Sequence, residues 1–392
     1  MVTSRAYRSR SGPFGLVTEI HIPEGKTVNI TRYGSIAAIA AAGALVLASC
    51  TTTDGQPEEV ADLSGTLVGA GASSQQSAQE AWVVGFQEMY PETTVEYDPI
   101  GSGGGRETFI GGGSQFAGSD RAFKIEEIAE DNFASCVPGT GILEIPAYIS
   151  PIAVIFNLEG IDSLNMDGAT IAGIFSGAIT NWSDAAIADQ NPDVELPDLA
   201  ITAVHRADDS GTTANFTDYL AAVAPDVWTV GQIETWPTEY GGEAAPQTSG
   251  VVDAVTNGTG TIGYADASRA GDLGTVAVKV GDEYVPYSPE AAAAIIDASP
   301  ADSPGERGET DLAIAVDRSS SAPNVYPIVL VSYLIACNEY ATTGEADIDL
   351  IKAYLSYIIS DEGQAAAAEA AGSAPISDTL FENAQAAIDA IK

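Results

Sequence analysis

The sequence predicts an α/β protein of two lobes, and three features lead there. After residue 64, short apolar runs alternate with amphipathic segments, the pattern of strands layered against helices. Two apolar, partly β-branched runs, Ile149 to Phe156 and Ile328 to Ile335, are long enough for buried strands and lie far apart in the chain. Such a pair can act as two hinge strands, so that residues 65–150 with 330–392 form one lobe, residues 151–329 the other, and a cleft opens between them. Third, Gly/Ser-rich turns recur where strands give way to helices.

The first 49 residues read as an address. Arg32 precedes an Ala-rich apolar run from Ile36 to Leu47 that ends in Leu47-Ala48-Ser49-Cys50, small residues leading into a cysteine. A run this short falls well below the roughly 20 residues of a spanning helix. The pattern resembles the signal peptide and lipobox of bacterial lipoproteins, which implies cleavage before Cys50, lipidation of its thiol and anchoring to the outer side of the cell membrane. Residues 50–64, polar and carrying Pro57, suit a tether. Residues 1–27 stand before the basic segment with which such leaders begin, so a misassigned start is expected, with Val28 or a neighbour as the initiator. With Cys50 lipidated, Cys136 and Cys337 remain as an even pair in an oxidising compartment; a disulfide is the expectation and two buried thiols the alternative.

Along the mature chain, Thr66 to Gly69 reads as a strand. Ala78, Trp82, Phe86 and Met89 then recur at helical spacing from Gln76 onward, with Ser73 and Ser74 as capping candidates, and Thr94 to Tyr97 alternates as a second strand. Asp189 to Asp198 and Ser299 to Thr310 read as surface loops, and Ala365 to Ala371 with the last residues as helical. No tandem repeat is evident. The 45% hydrophobic content over 392 residues supports real cores, and the net charge of -40 excludes nucleic acid and anionic lipid surfaces as partners.

The chemistry lies in four turns: Gly69 to Ser74, Gly101 to Gly105, Gly118 to Asp120, and Ser210 to Thr213. Each is expected to open a helix. First-turn amides have no partner inside a helix, and with the helix dipole they suit an oxyanion. Serine and threonine add hydroxyl donors, so several turns facing one cleft can solvate a tetrahedral anion with little net positive charge. Singly, each turn is an ordinary N-cap or loop signal.

The segment Val204-His205-Arg206-Ala207-Asp208-Asp209-Ser210-Gly211-Thr212-Thr213 is similar to the signature of phosphate-binding proteins of high-affinity ABC importers. The Gly-Ala-Gly-Ala opening at Gly69, Ile100 to Gly104, Ala117 to Asp120, Gly260 to Tyr264 and Tyr326-Pro327-Ile328 agree with that family in order. The resemblance implies a type II periplasmic-binding-protein fold in which Ser73, Ser74, Ser102, Asp120, Arg206, Ser210, Gly211 and Thr212 hold inorganic phosphate, with Asp208 pairing Arg206. It also implies a monomer that delivers phosphate to an ABC permease, without metal or cofactor. Asp120 is then the discriminating group: a carboxylate repels an anion unless the anion brings a proton, as phosphate does near neutral pH and sulfate does not. As a bare residue, Asp120 also fits a helix N-cap. Two departures matter. Ser73-Ser74-Gln75 stands where many relatives carry Thr-Phe-Pro, and Arg121 follows Asp120, where it is expected to face solvent but could instead neutralise Asp120.

Other readings are weaker. Of two histidines, His21 belongs to the leader and His205 follows a strand-like run, where a packed or rim role outweighs a general base, so a hydrolase or a zinc site lacks its parts. Gly25-Lys26-Thr27 imitates a phosphate loop, but Ile20 holds the place of the earlier glycine. Molybdate or sulfate binding, or phosphate sensing, remain alternatives on the same fold.

Overall fold

The computed structural model describes residues 62–392; the leader, Cys50 and most of the tether lie outside them. The first strands in the chain are β1 (Gly65–Gly71), β2 (Thr93–Asp98), β3 (Phe116–Ser119) and β4 (Ile142–Asn157). They are followed by β5 (Ser163–Met166), β6 (Thr202–Arg206), β7 (Glu243–Ala245), β8 (Thr261–Asp266), β9 (Gly274–Val280), β10 (Glu283–Val285) and β11 (Val329–Cys337). Two half-sheets share β4. Its first part joins the order β2-β1-β3-β11-β4, and its last residues continue the order through β8, β6 and β7, with β9 pairing its end, β5 and β10. The change of partner is sharp: Pro151 opposes Val329 of β11, whereas Ile152 opposes Asp266 of β8. Every residue of β4 but Asn157 is buried, as is all of β11, which is why both read as unbroken apolar runs rather than as alternating strands.

The helices are α1 (Gln76–Met89), α2 (Ser102–Ile110), α3 (Ile125–Ala129), α4 (Gly168–Phe175), α5 (Ala185–Ala188) and α6 (Gly211–Val223). Then come α7 (Gln247–Asn257), α8 (Pro289–Asp297), α9 (Ile348–Ile359), α10 (Asp361–Ala371) and α11 (Asp378–Asp389). In the first lobe α1 packs on α9 and α10: Trp82 is buried with its Nε1 donating to the Gly363 carbonyl at 2.7 Å, and Phe86 meets Tyr354 edge to face. In the second lobe α7 lies on β6 and β8, and α6 meets α4. Cys136 and Cys337 are joined as a disulfide beside the end of β11.

Several local expectations change in the structure. Met89 is exposed, because it stands at the end of α1 where the apolar stripe has left the core. Ser73 and Ser74 do not cap α1; they form a 3-10 turn with Gln75, and their side chains face inward. The turn at Gly118 to Asp120 opens no helix, since β3 ends at Ser119 and the next helix begins at Ile125. Asp120 is therefore not an N-cap. Within the segment Ser299 to Thr310, Arg307 reaches inward to buried Glu144 and to Asp302, Asp311 and the Phe123 carbonyl, so this part is fastened to the first half of β4.

Candidate functional site

The four turns meet. The first lobe supplies the turns after β1, before α2 and after β3, and the second supplies the β6–α6 turn. Gly101 reaches this junction with φ 97°, a left-handed conformation that glycine adopts at little cost, and a methyl there would stand 2.5 Å from Asp208 Oδ2. At Gly211 a methyl would stand 2.6 Å from Ser102 Oγ and 2.7 Å from Asp120 Cβ, so only glycine lets α6 approach the other lobe this closely. Ser210 caps α6 by accepting from the Thr213 amide at 3.1 Å, which leaves the amides of Gly211 and Thr212 without a partner inside the helix.

Asp120 is at the centre. Its side chain is buried, and three hydroxyls from three elements donate to it: Ser74 to Oδ1 at 2.7 Å, Ser332 to Oδ1 at 2.6 Å, and Thr212 to Oδ2 at 2.9 Å. Burial pushes its carboxyl above the usual range, against those hydroxyls and the charge of Arg206, which pull it down. Ser102 accepts from the Asp120 amide at 3.1 Å. Ser73 pairs across the cleft with Thr248, accepting from its amide at 3.1 Å at the start of α7.

Arg206, at the end of β6, grips Asp208 through Nε at 2.9 Å and through Nη2, while Nη1 points to Thr212 Oγ1 at 3.4 Å. Burial would raise the Asp208 carboxyl, but the hydrogen bonds and charge of Arg206 and the Gln247 amide hold it below its ordinary value. Ser74, Ser102, Asp120, Thr212 and Arg206 are thus joined in one buried network, with Asp208 behind Arg206, Ser210 and Gly211 at the start of α6, and the Ser73 hydroxyl bonded to Thr248 alone. One guanidinium faces two carboxylates there, so an added anion must be held by dipoles and by its own protons as much as by charge.

Arg121 does neither thing expected of it. It turns away from Asp120 and is only 10% exposed, because Glu127 holds Nη1 and Nη2 at 2.7 and 2.9 Å and Glu234 takes Nε at 2.7 Å. Glu234 also receives Arg106 at 2.6 Å. Glu234 belongs to the second lobe and the two arginines to the first, so this cluster spans the cleft mouth. Burial acts to raise Glu127, but Arg121 and the Lys124 amide dominate and bring it to about 2. His205 is packed: its ring stacks on Trp236 at 4.7 Å, Nδ1 lies 2.9 Å from the Arg206 carbonyl, and burial pushes it below its ordinary value.

Residue-by-residue reading of the sequence missed Ser332, Gln75, Thr248 and Glu234. A serine inside the apolar run Val329 to Ile335 was the available signal, because a buried hydroxyl needs a partner. A groove of about 550 Å³ starts at Asp120 and runs outward past Arg121, Lys124 and Arg307.

Residues 56–362 match the family model for the PBP superfamily domain. The chain is 32% identical to the phosphate-binding protein PstS 3 of Mycobacterium tuberculosis, over 93% of this chain and 100% of that protein. It is 30% identical to phosphate-binding protein PstS 2 of the same species over the same shares. Among solved structures, a high-affinity periplasmic phosphate-binding protein with phosphate bound (PfluDING) superposes with TM-score 0.65 at 20% identity, covering 82% of this chain and 93% of that one. A phosphate-binding protein of Stenotrophomonas maltophilia gives 0.62 at 20% identity over 82% and 93%.

Proposed function

Because the chain belongs to the PBP superfamily and shares its two-lobed α/β fold, we propose that it captures inorganic phosphate outside the cell membrane and delivers it to an ABC permease. The observation that carries this reading is the buried convergence of two helix starts, several hydroxyls, one guanidinium and one carboxylate from both lobes.

The amides of Gly211 and Thr212, and that of Ser102 at the start of α2, donate to the phosphate oxygens with the helix dipoles behind them. Arg206 adds Nη1, its other donors being held on Asp208 so that the guanidinium cannot swing. The hydroxyls of Ser73, Ser102, Ser210 and Thr212 turn toward the ligand, and Ser74 offers its backbone amide while its hydroxyl stays on Asp120. Asp120 accepts the proton that phosphate carries at neutral pH. Sulfate has no such proton and meets an unpaired acceptor. The lobes formed by residues 65–150 with 330–392 and by residues 151–329 close about β4 and β11, and the closed form is what the permease recognises. Lipid on Cys50 keeps a monomer at the membrane, with the tether giving it reach. The protein acts as a carrier and not as a catalyst.

Calorimetric titration of the purified mature protein with phosphate and with sulfate tests this. Submicromolar phosphate binding with far weaker sulfate binding is expected. Equal binding of the two, or none, would overturn the reading.

A further inference from the structure

We infer that Gln75 and Ser332 act as positioning residues that fix which oxygen of Asp120 receives the ligand's proton, and that Oδ2 is that oxygen. The inference rests on the phosphate reading above. It begins with a run of buried polar side chains extending from the core of the first lobe to the site: Tyr354 on α9, Gln79 on α1, Gln75 in the turn before α1, and Ser332 on β11.

The links are short and all point one way. The Tyr354 hydroxyl donates to Gln79 Oε1 at 2.9 Å, Gln79 Nε2 donates to Gln75 Oε1 at 2.9 Å, and Gln75 Nε2 donates to Ser332 Oγ at 2.6 Å. The serine hydrogen then goes to Asp120 Oδ1 at 2.6 Å. Gln75 sets this direction, because its Nε2 also donates to the Tyr333 carbonyl at 3.3 Å, a group that can only accept. Reversing the chain would turn Gln75 Oε1 toward the Tyr333 carbonyl, setting two acceptors against each other, and would require Ser332 to accept from a protonated Asp120.

With Ser74 donating as well, Oδ1 carries two hydrogen bonds. Oδ2 has only Thr212, a hydroxyl that can swing to the ligand. Burial works toward protonating Asp120, and the two donors on Oδ1 oppose it. The relay therefore favours the carboxylate form and leaves Oδ2 the less occupied oxygen. The other charged or titratable groups around Asp120 are Arg206 from β6, held on Asp208, Tyr97 from β2, whose phenol is pushed up by burial, and Arg318, which reaches the Asp120 carbonyl through Asn215. Arg121, next in the chain, is held by Glu127 and Glu234.

Take the relay away and Asp120 binds its own proton more readily. It would then donate to a fully deprotonated anion, and the discrimination against sulfate would weaken. The variants are Ser332→Ala, which leaves Gln75 the Tyr333 carbonyl at 3.3 Å, and Gln75→Met, which keeps the volume without the donor.

Phosphate and sulfate affinities are measured by calorimetry from pH 5 to 8 on wild type and both variants, with melting temperature as the check on folding. Each variant is expected to lose about tenfold in its phosphate-over-sulfate ratio near pH 7, the size of one hydrogen bond to a charged group. Sulfate binding should also rise with acid from a higher pH than in wild type. Equal losses for both anions with an unchanged pH profile would mean mere loosening and overturn the inference while leaving the phosphate reading intact. A wild type that does not prefer phosphate would overturn both.

Discussion

Asp120 and Arg121 are neighbours in the chain and face opposite electrostatic designs. Asp120 looks inward to a site of three hydroxyls, helix starts and one guanidinium, where burial raises its carboxyl. Arg121 looks outward to the cleft mouth, where two arginines and two carboxylates satisfy each other completely. Both regions join the same two lobes. The difference separates two kinds of contact: permanent charges pair off where Glu234 and Glu127 meet Arg106 and Arg121, and the interior keeps hydroxyls that can reorient. A binding site built from ion pairs would have to break them before each capture; hydroxyls need only rotate.

That contrast can be broken from the inside first. Arg206→Ala removes the cation that bonds Thr212 and leaves Asp208 half-buried without its partner, so phosphate affinity should fall by about a hundredfold or more, measured by titration. Asp120→Asn should act on choice more than on strength: phosphate binding drops modestly while the preference over sulfate falls by at least about tenfold.

The same substitution sharpens the comparison through stability. A carboxyl raised by burial contributes stability below its ordinary value and loses it as pH rises through the raised value, so ionised Asp120 destabilises the empty protein at neutral pH. Asp120→Asn should therefore raise the melting temperature of the ligand-free form at pH 7. Glu127 has the opposite sign. Lowered to about 2, it contributes stability at and above the ordinary carboxylate value and loses it as pH falls from about 4 toward 2.

At the mouth, Glu234→Gln strips both arginines of their shared partner without touching the interior. Phosphate affinity should fall only about five- to tenfold, with selectivity over sulfate unchanged, because closure is weakened and recognition is not. The smallest effect on binding is expected from Cys136→Ser with Cys337→Ser. The bridge joins two residues of the first lobe across 201 residues of chain that include the whole second lobe, and it lies away from the site, so its loss should cost about 2–5 kcal/mol of unfolding free energy by denaturant titration and leave affinity as it was.

Local signals in the sequence were readable to different depths. Ser210-Gly211-Thr212 states its own geometry, since a serine cap followed by a glycine must present free amides. Arg206 and Asp208 pair within two residues of a strand end, which short spacing can suggest. Asp120 was legible as a site residue only through family resemblance, and its local environment was misread: nothing in Gly118-Ser119-Asp120 says that the strand leads into no helix. Ser332 was marked only as a hydroxyl within an apolar run, and neither its partner nor that of Glu234 was legible, because those partners lie 212 and 113 residues away and no local periodicity encodes such meetings. Arg121 likewise depended on where the loop after α6 would come to lie.

The most direct test is a crystal structure of the mature protein grown with phosphate. The account predicts one phosphate between the lobes, its oxygens within hydrogen-bond reach of the Gly211 and Thr212 amides and Arg206 Nη1, and one oxygen sharing its proton with Asp120 Oδ2. Phosphate seated instead in the outer groove beside Arg121, Lys124 and Arg307, with the hydroxyls still donating to Asp120, would contradict it.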